Sequence, residues 1–298
     1  MSQECILSVV VPISRMAGRL ENLRGWFENL DVEKIEIIFV HDIADEATIH
    51  ELREIIEESK FSNCKVLEGN FGGPGSARNA GISHCKSEWI TFWDSDDFVF
   101  VNEYLTSIQN LASTIDLLVG NYEIHDIRNS STISRLLPTI EPLTSLAMNP
   151  GIWRMVFRRD AIGNIQFPNL QMAEDQVFIC RFLSQNPKII YTDRVLYRYF
   201  IGNQSQLTRN TAALKDLSEA SKLTLDVLRN SKNSNSTFTA ILFERQIITG
   251  IKNGVFRTKV SQLVNQVLAF ISLRPSQVLL IARALKFIFS DSTRGSHR

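Results

Sequence analysis

Short apolar runs alternate with apolar residues at helical spacing along the first 120 residues. Residues 8–12 (SVVVP) form a continuous β-branched run, as a strand covered on both faces should. Leu20, Leu23, Phe27 and Leu30 then recur at helical spacing, and residues 35–40 (IEIIFV) read as a second buried strand. Residues 46–59 predict a helix with Ile49, Leu52, Ile55 and Ile56 inward. A third strand at 65–67, a helix at 76–83, a fourth strand at 89–93 (WITFW), a helix at 104–112 and a fifth strand at 117–119 continue the series. Such alternation predicts an α/β fold with a mostly parallel sheet and helices on both faces.

The pattern is irregular between about 121 and 201. Residues 129–132 (NSST) read as a loop, and 172–183 as a helix with Val177, Phe178 and Phe182 on one side. Short strands are expected at 189–191 and 195–199. From about 208 only helical signals remain, and 230–237 (NSKNSNST) is the clearest linker. Val260, Leu263, Val264, Val267, Leu268 and Ile271 form an apolar stripe at i, i+3, i+4 spacing. Pro275 starts or precedes another helix.

Composition changes this picture little: 298 residues, 44% of them hydrophobic, allow one large domain or a domain with an appendage. The formal net charge of zero hides an asymmetry. Residues 1–110 carry nineteen acidic against nine basic side chains, whereas residues 252–298 carry eight basic against one acidic. A basic end beside apolar runs can meet an anionic partner such as a lipid headgroup; the alternative is that these charges solvate packed helices. The longest apolar run, 278–282 (VLLIA), is too short to cross a bilayer, and the N-terminus does not read as a signal peptide. Cys5, Cys64, Cys85 and Cys180 form no CxxC pair and no zinc-type spacing, so free thiols of a cytoplasmic protein are expected.

In open α/β sheets ligands bind beyond the carboxyl ends of strands. His41-Asp42 follows the second strand there, and Asp94-Ser95-Asp96-Asp97 follows the fourth. Three carboxylates in four residues repel one another unless a positive group sits among them. A hard divalent cation, Mn²⁺ or Mg²⁺, meets that need through carboxylate and diphosphate oxygens; a solvated acidic turn is the plainer reading. The run GGPGSARNAGI (72–82) lets backbone approach a ligand and aims a helix N-terminus at it. It lacks the Lys-Ser/Thr of a P-loop and does not follow the first strand, so neither the kinase-type nor the dinucleotide motif fits.

Together these residues resemble the family-2 glycosyltransferases of the GT-A (Rossmann-like) fold. SVVVPIS is similar to that family's opening strand, FVHDIAD stands where an Asp-Asp-Gly-Ser turn is usual, and GGPGSARNAGI resembles its nucleotide-side loop. WITFWDSDDF resembles its metal motif, Ala173-Glu174-Asp175 its Glu-Asp motif, and YRYFIGNQSQLT a segment closing over the diphosphate. The resemblance implies a nucleotide-sugar transferase domain over 1–207, followed by a C-terminal helical region over 208–298. It implies that Pro12 and Asp42 line the nucleoside pocket, with Arg78 and Asn79 bordering the nucleotide. Asp94 and Ser95 then lie on the ribose–diphosphate side, Asp96 is the metal ligand with Asp97 in support, and Asp175 is the catalytic base, with Glu174 a supporting residue beside it. His41 and Ile43-Ala44 depart from the family's turn, which leaves the nucleobase open. Arg198 and Asn203 to Gln206, Ser205 among them, are candidates for a lid, and an ordinary surface loop is the alternative. Trp153 is a candidate for stacking on an acceptor sugar.

The reaction implied is a metal-dependent inverting transfer from a nucleotide diphosphate, UDP the commonest carrier, to a hydroxyl of a glycan or lipid-linked acceptor in cell-surface polysaccharide synthesis. Two other classes stand beside it: a sugar nucleotidyltransferase, and a binding protein on a decayed transferase. The segment PISRMAGRL after the first strand fits the former poorly, and the intact DSDD and Glu-Asp motifs argue against the latter. No nucleic-acid partner is expected. The C-terminal helices could serve the acceptor, a second subunit or the inner membrane face.

Overall fold

The structure is a computed structural model. It describes residues 5–28, 30–31, 33–43, 45–202, 213–231 and 235–294, with side chains to 290. In chain order the elements are β1 (Leu7–Ile13), α1 (Glu21–Phe27), β2 (Ile35–Asp42), α2 (Glu46–Ser59), β3 (Cys64–Gly69), α3 (Pro74–Ile82), β4 (Trp89–Phe92), β5 (Phe98–Val99), α4 (Val101–Ile108), β6 (Leu117–Asp126), β7 (Ser131–Arg135), α5 (Pro142–Met148), β8 (Met155–Arg158), α6 (Arg159–Ile162), α7 (Glu174–Ser184), β9 (Ile189–Ile201), α8 (Leu217–Asn230), α9 (Ser236–Asn253), α10 (Phe256–Ser272) and α11 (Pro275–Arg294). They divide into two compact units. The first comprises Met1–Leu137, Gly151–Asn169 and Pro187–Asn203; the second comprises Pro138–Pro150, Leu170–Asn186 and Gln204–Arg298.

In the first unit the described strands form one sheet in the order β3-β2-β1-β4-β8-β6-β9-β5, with β7 on β6. The parallel expectation holds for β3-β2-β1-β4. Beyond β4 the sheet is mixed, with β8 antiparallel to β4 and β6, and β9 parallel to β6. The expected strands at 189–191 and 195–199 are one strand, β9, and the expected three-residue strand at 117–119 extends to Asp126. Pairing with β6 holds β9 together through its exposed Asp193 and Arg194. Residues 131–132, expected in a loop, begin β7 after a turn.

Val9, Val11, Ile37 and Phe39 pack with Leu23, Trp26, Leu52 and Ile55 of α1 and α2. Strand β1 presents Val10 to α3, where a Cβ on Gly81 would come within 2.3 Å of a Val10 methyl; the glycine lets α3 lie directly on the sheet. One carboxylate breaks the apolar run of β2. Burial pushes the Glu36 carboxyl up, but donors from Ser8, Lys86 and Ser87 outweigh it and hold it below the usual value.

In the second unit α9 is the central helix, with Phe238, Ile241, Leu242, Phe243 and Ile247 buried. Helices α8, α10 and α11 pack on it. Helix α10 is inverted. Thr258, Gln262, Asn265 and Ala269 face inward, while Val260, Leu263, Val264, Val267 and Ile271 are exposed. An apolar stripe of that spacing ordinarily faces a core. Here the inward polar groups are satisfied: Ser221 Oγ donates to Gln262 Oε1 (2.8 Å), and Asn265 Nδ2 donates to Ser218 O and to Ser221 Oγ (both 2.8 Å). Those bonds fix the rotation of the helix.

Glu244 of α9 is 1% exposed and accepts from Gln266 Nε2 at 2.9 Å. Burial pushes its carboxyl from 4.5 up to about 7, the hydrogen bond opposing. A raised folded-state pKa means that this group's stability is complete below 4.5 and is lost as pH rises through about 7. Glu244→Gln is therefore expected to raise the melting temperature at pH 8 and to give no gain at pH 4.5, with a difference on the order of 1–3 kcal/mol. Thermal melts of both proteins at the two pH values check this.

Candidate functional site

The DSDD turn begins where β4 ends, at the carboxyl end of the parallel strands. Distant residues hold its backbone: Trp26 Nε1 donates to Asp97 O (3.1 Å) and Asn22 Nδ2 to Asp96 O (2.8 Å). Asp94 N–H donates to the Tyr197 hydroxyl (3.1 Å), which donates to Asp97 Oδ2 (3.0 Å). Phe200 N–H takes Asp97 Oδ1 at 2.8 Å. Asp97, 1% exposed, is thus turned into the fold as an anchor; burial first, then Asp96 and Asp94, push its carboxyl well above the usual range. Ser95 is buried beside it.

Asp94 and Asp96 are half-buried. Arg78 Nη2 meets Asp94 Oδ1 at 3.0 Å, its guanidinium lying over the Phe167 ring. Among the described residues no side chain donates to the Asp96 carboxylate; burial first, then Asp94, push its carboxyl up, with the Arg19 charge opposing. Among the described residues no three His, Cys, Asp or Glu side chains converge as a metal site. A cation that takes one or two carboxylates and completes its shell with phosphate and water oxygens nonetheless fits this turn, since Asp94 sets like charge beside Asp96 and a cation would offset it.

Asp42, buried at the end of β2, grips the glycine loop. Its carboxylate accepts from the N–H groups of Phe71 (2.6 Å), Gly72 (3.1 Å) and Gly73 (2.7 Å). The loop needs its glycines, with φ of +82° at Gly72 and +141° at Gly73. Pro12 is half-buried on neighbouring β1, paired with Val40. Asn79 spends its side-chain amide on both backbone groups of Phe167, each at 2.9 Å. His41 is buried, and among the described residues its Nε2 meets no hydrogen-bond partner.

Trp153, partly buried, stacks on Tyr197 (4.4 Å) and Tyr199 (5.9 Å) and meets Tyr122 edge-on. Arg198 pairs with Glu123 (2.9 Å) and lies over Phe98 and Phe100. Ser205, with Asn203, Gln204 and Gln206, lies outside the described residues. Glu174 and Asp175 stand in the second unit, in the first turn of α7, where Asp175 Oδ1 accepts from Gln176 N–H (2.8 Å). Ala173 before them has a left-handed φ of +65°.

The first unit therefore brings Asp94, Ser95, Asp96, Asp97 and Arg78 together around one turn. Sequence reasoning missed Tyr197, whose hydroxyl ties Asp94 to Asp97; its signal was the Tyr-x-Tyr of β9, which puts two tyrosines on one face of a strand.

Comparison with known proteins identifies the fold and the family. An uncharacterized glycosyltransferase of Haemophilus influenzae is 25% identical over 206 residues, covering 67% of this chain and 81% of its own length. The poly(ribitol-phosphate) β-N-acetylglucosaminyltransferase TarS of Staphylococcus aureus (strain Mu50 / ATCC 700699) is 26% identical over 209 residues, 64% of this chain and 35% of TarS. The crystal structure of S. aureus TarS 1-349 in complex with UDP-GlcNAc superposes with a TM-score of 0.72 at 18% identity, covering 93% of this chain and 84% of that one. The fold is therefore GT-A. A model of glycosyl transferase family 2 matches residues 8–173, from β1 through the DSDD turn to the residue before Glu174. With more than half of the chain matched, and its acidic turn standing at the end of β4, the protein is a glycosyltransferase and belongs to glycosyl transferase family 2.

Proposed function

We propose that the protein transfers a sugar from a nucleoside diphosphate, UDP the first candidate, to a hydroxyl of a glycan or lipid-linked acceptor in building a cell-surface polysaccharide, with inversion at the anomeric carbon. The observation that carries the reading is the Asp94–Arg78 pair beside the Asp96 carboxylate, on a turn pinned from four sides. The UDP-GlcNAc complex of the structural neighbour supports the choice of donor class.

In this reading the acceptor oxygen attacks the anomeric carbon from the face opposite the diphosphate. The new carbon–oxygen bond forms as the old one breaks, and the diphosphate leaves with the electron pair. A sugar hydroxyl is a poor nucleophile at neutral pH, so Asp175 takes its proton in the transition state. The first turn of a helix is a favourable place for that carboxylate. Asp94 and Ser95 face the ribose and diphosphate, Arg78 and Asn79 border the nucleotide, and Pro12 and Asp42 close the nucleoside side. A divalent cation, Mn²⁺ or Mg²⁺, held by Asp96 with Asp94 beside it, supplies positive charge to the leaving diphosphate when bound. Trp153 offers a ring edge to the acceptor, and Arg198 closes over the diphosphate side. The free thiols of Cys5, Cys64, Cys85 and Cys180 support a cytoplasmic setting.

A panel of UDP- and GDP-sugars with Mn²⁺ tests the donor. A UDP-sugar is expected to raise the melting temperature and to release UDP slowly in water. Stabilisation by GDP-sugars alone would overturn the choice of UDP, and pyrophosphate as the released product would overturn the reaction class.

A further inference from the structure

The outward face of α10 is apolar along its length. Phe256, Val260, Leu263, Val264, Val267, Phe270 and Ile271 are exposed, Phe256 to 82% and Ile271 to 73%. At about 100° per residue they lie opposite the inward Thr258, Gln262, Asn265 and Ala269, with no charge among them. Contiguous apolar surface of this kind marks a site of interaction. The inversion is fixed by the hydrogen bonds of Gln262 and Asn265, so the face cannot roll inward without leaving those groups unsatisfied.

Charge says what covers it. From Arg245 to Ser290 the sequence holds seven basic residues and no acidic one. Lys252, Arg257, Lys259, Arg274, Arg283 and Lys286 are all exposed. Lys259 and Arg257 fall on the two flanks of the apolar face, and Arg274 follows its far end. On neighbouring α8, Glu219 and Asp226 are already paired with Lys222 and Arg229. Two copies meeting through this face would set its positive flanks against themselves, which is repulsive. An anionic sheet with an apolar interior answers both features. Among the described residues no helix is long and apolar enough to cross a membrane, so contact would be along the surface.

We propose that α10 lies flat on an anionic phospholipid bilayer, its apolar face in the headgroup–acyl boundary and the basic residues of the C-terminal helices among the phosphates. The inference is independent of which sugar is transferred. Flotation of the full chain with phosphatidylcholine vesicles, with and without phosphatidylglycerol, tests it. The wild-type protein is expected to float with phosphatidylglycerol vesicles, to float poorly with phosphatidylcholine alone, and to detach as salt is raised. Val267→Glu, at a 58% exposed position, and the double reversal Arg257→Glu/Lys259→Glu are each expected to lower binding roughly tenfold or more, with melting temperatures held. If Val267→Glu melts lower, the double reversal, outside the apolar face, carries the test alone. Absence of wild-type flotation, or equal flotation of the double reversal, overturns the proposal. So does a dimer in velocity sedimentation that Val267→Glu splits while vesicles are ignored, which would assign the face to a second copy.

Discussion

Asp175→Asn is expected to lower transfer about 10²- to 10⁴-fold while donor affinity stays within a factor of about two. Asparagine has the shape of aspartate but cannot accept the acceptor's proton. It also keeps the contact with the next residue, because its side-chain oxygen can still take the Gln176 N–H. The start of α7 should therefore survive, and the loss should appear in turnover. Calorimetric titration of the donor alongside a transfer assay separates the two. Turnover within about tenfold of wild type would remove Asp175 from the role of base, since a positioned base contributes at least that much.

Asp96→Ala should abolish the Mn²⁺-dependent part of nucleotide affinity, a loss of at least about tenfold, and leave metal-free binding of UDP little changed. It should do so without unfolding the turn. The contact that Asp96 makes with Asn22 runs through its backbone carbonyl, and the anchors at Asp94 and Asp97 belong to other residues. Removing the side chain also relieves repulsion with Asp94 and Asp97, so the metal-free variant should melt no lower than wild type. Titrating UDP with and without Mn²⁺ reads the first effect, and a melt in chelator reads the second. Equal Mn²⁺ dependence in the two proteins would refute the metal role.

The chain displayed its parallel half openly. Strands β1 and β2 are largely apolar, broken inside the run only by Ser8 and Glu36, and α2 falls on the residues that its periodicity indicates, 46–59. The DSDD turn was legible because it follows such a run. Its supports were not, because Trp26, Tyr197 and Phe200 lie 71 to 103 residues away and only the fold brings them in. Two-residue β5 and four-residue β8 are too short to leave a period, and exist through pairing with β9, β4 and β6. The stripe of α10 was legible as a stripe. Which way it faces was decided by Ser221, forty-one residues before Gln262, which no local pattern reveals.

The grip of Asp42 on the three loop amides has a consequence for how the pocket can change over time. Glycine-rich backbone is the most expensive kind to immobilise, and here that expense falls on folding, before any ligand arrives. A neighbouring position such as His41 is then released from the task of shaping the loop. Substitutions there can retune what the pocket admits while its frame stays rigid, so selectivity and architecture become separately variable traits.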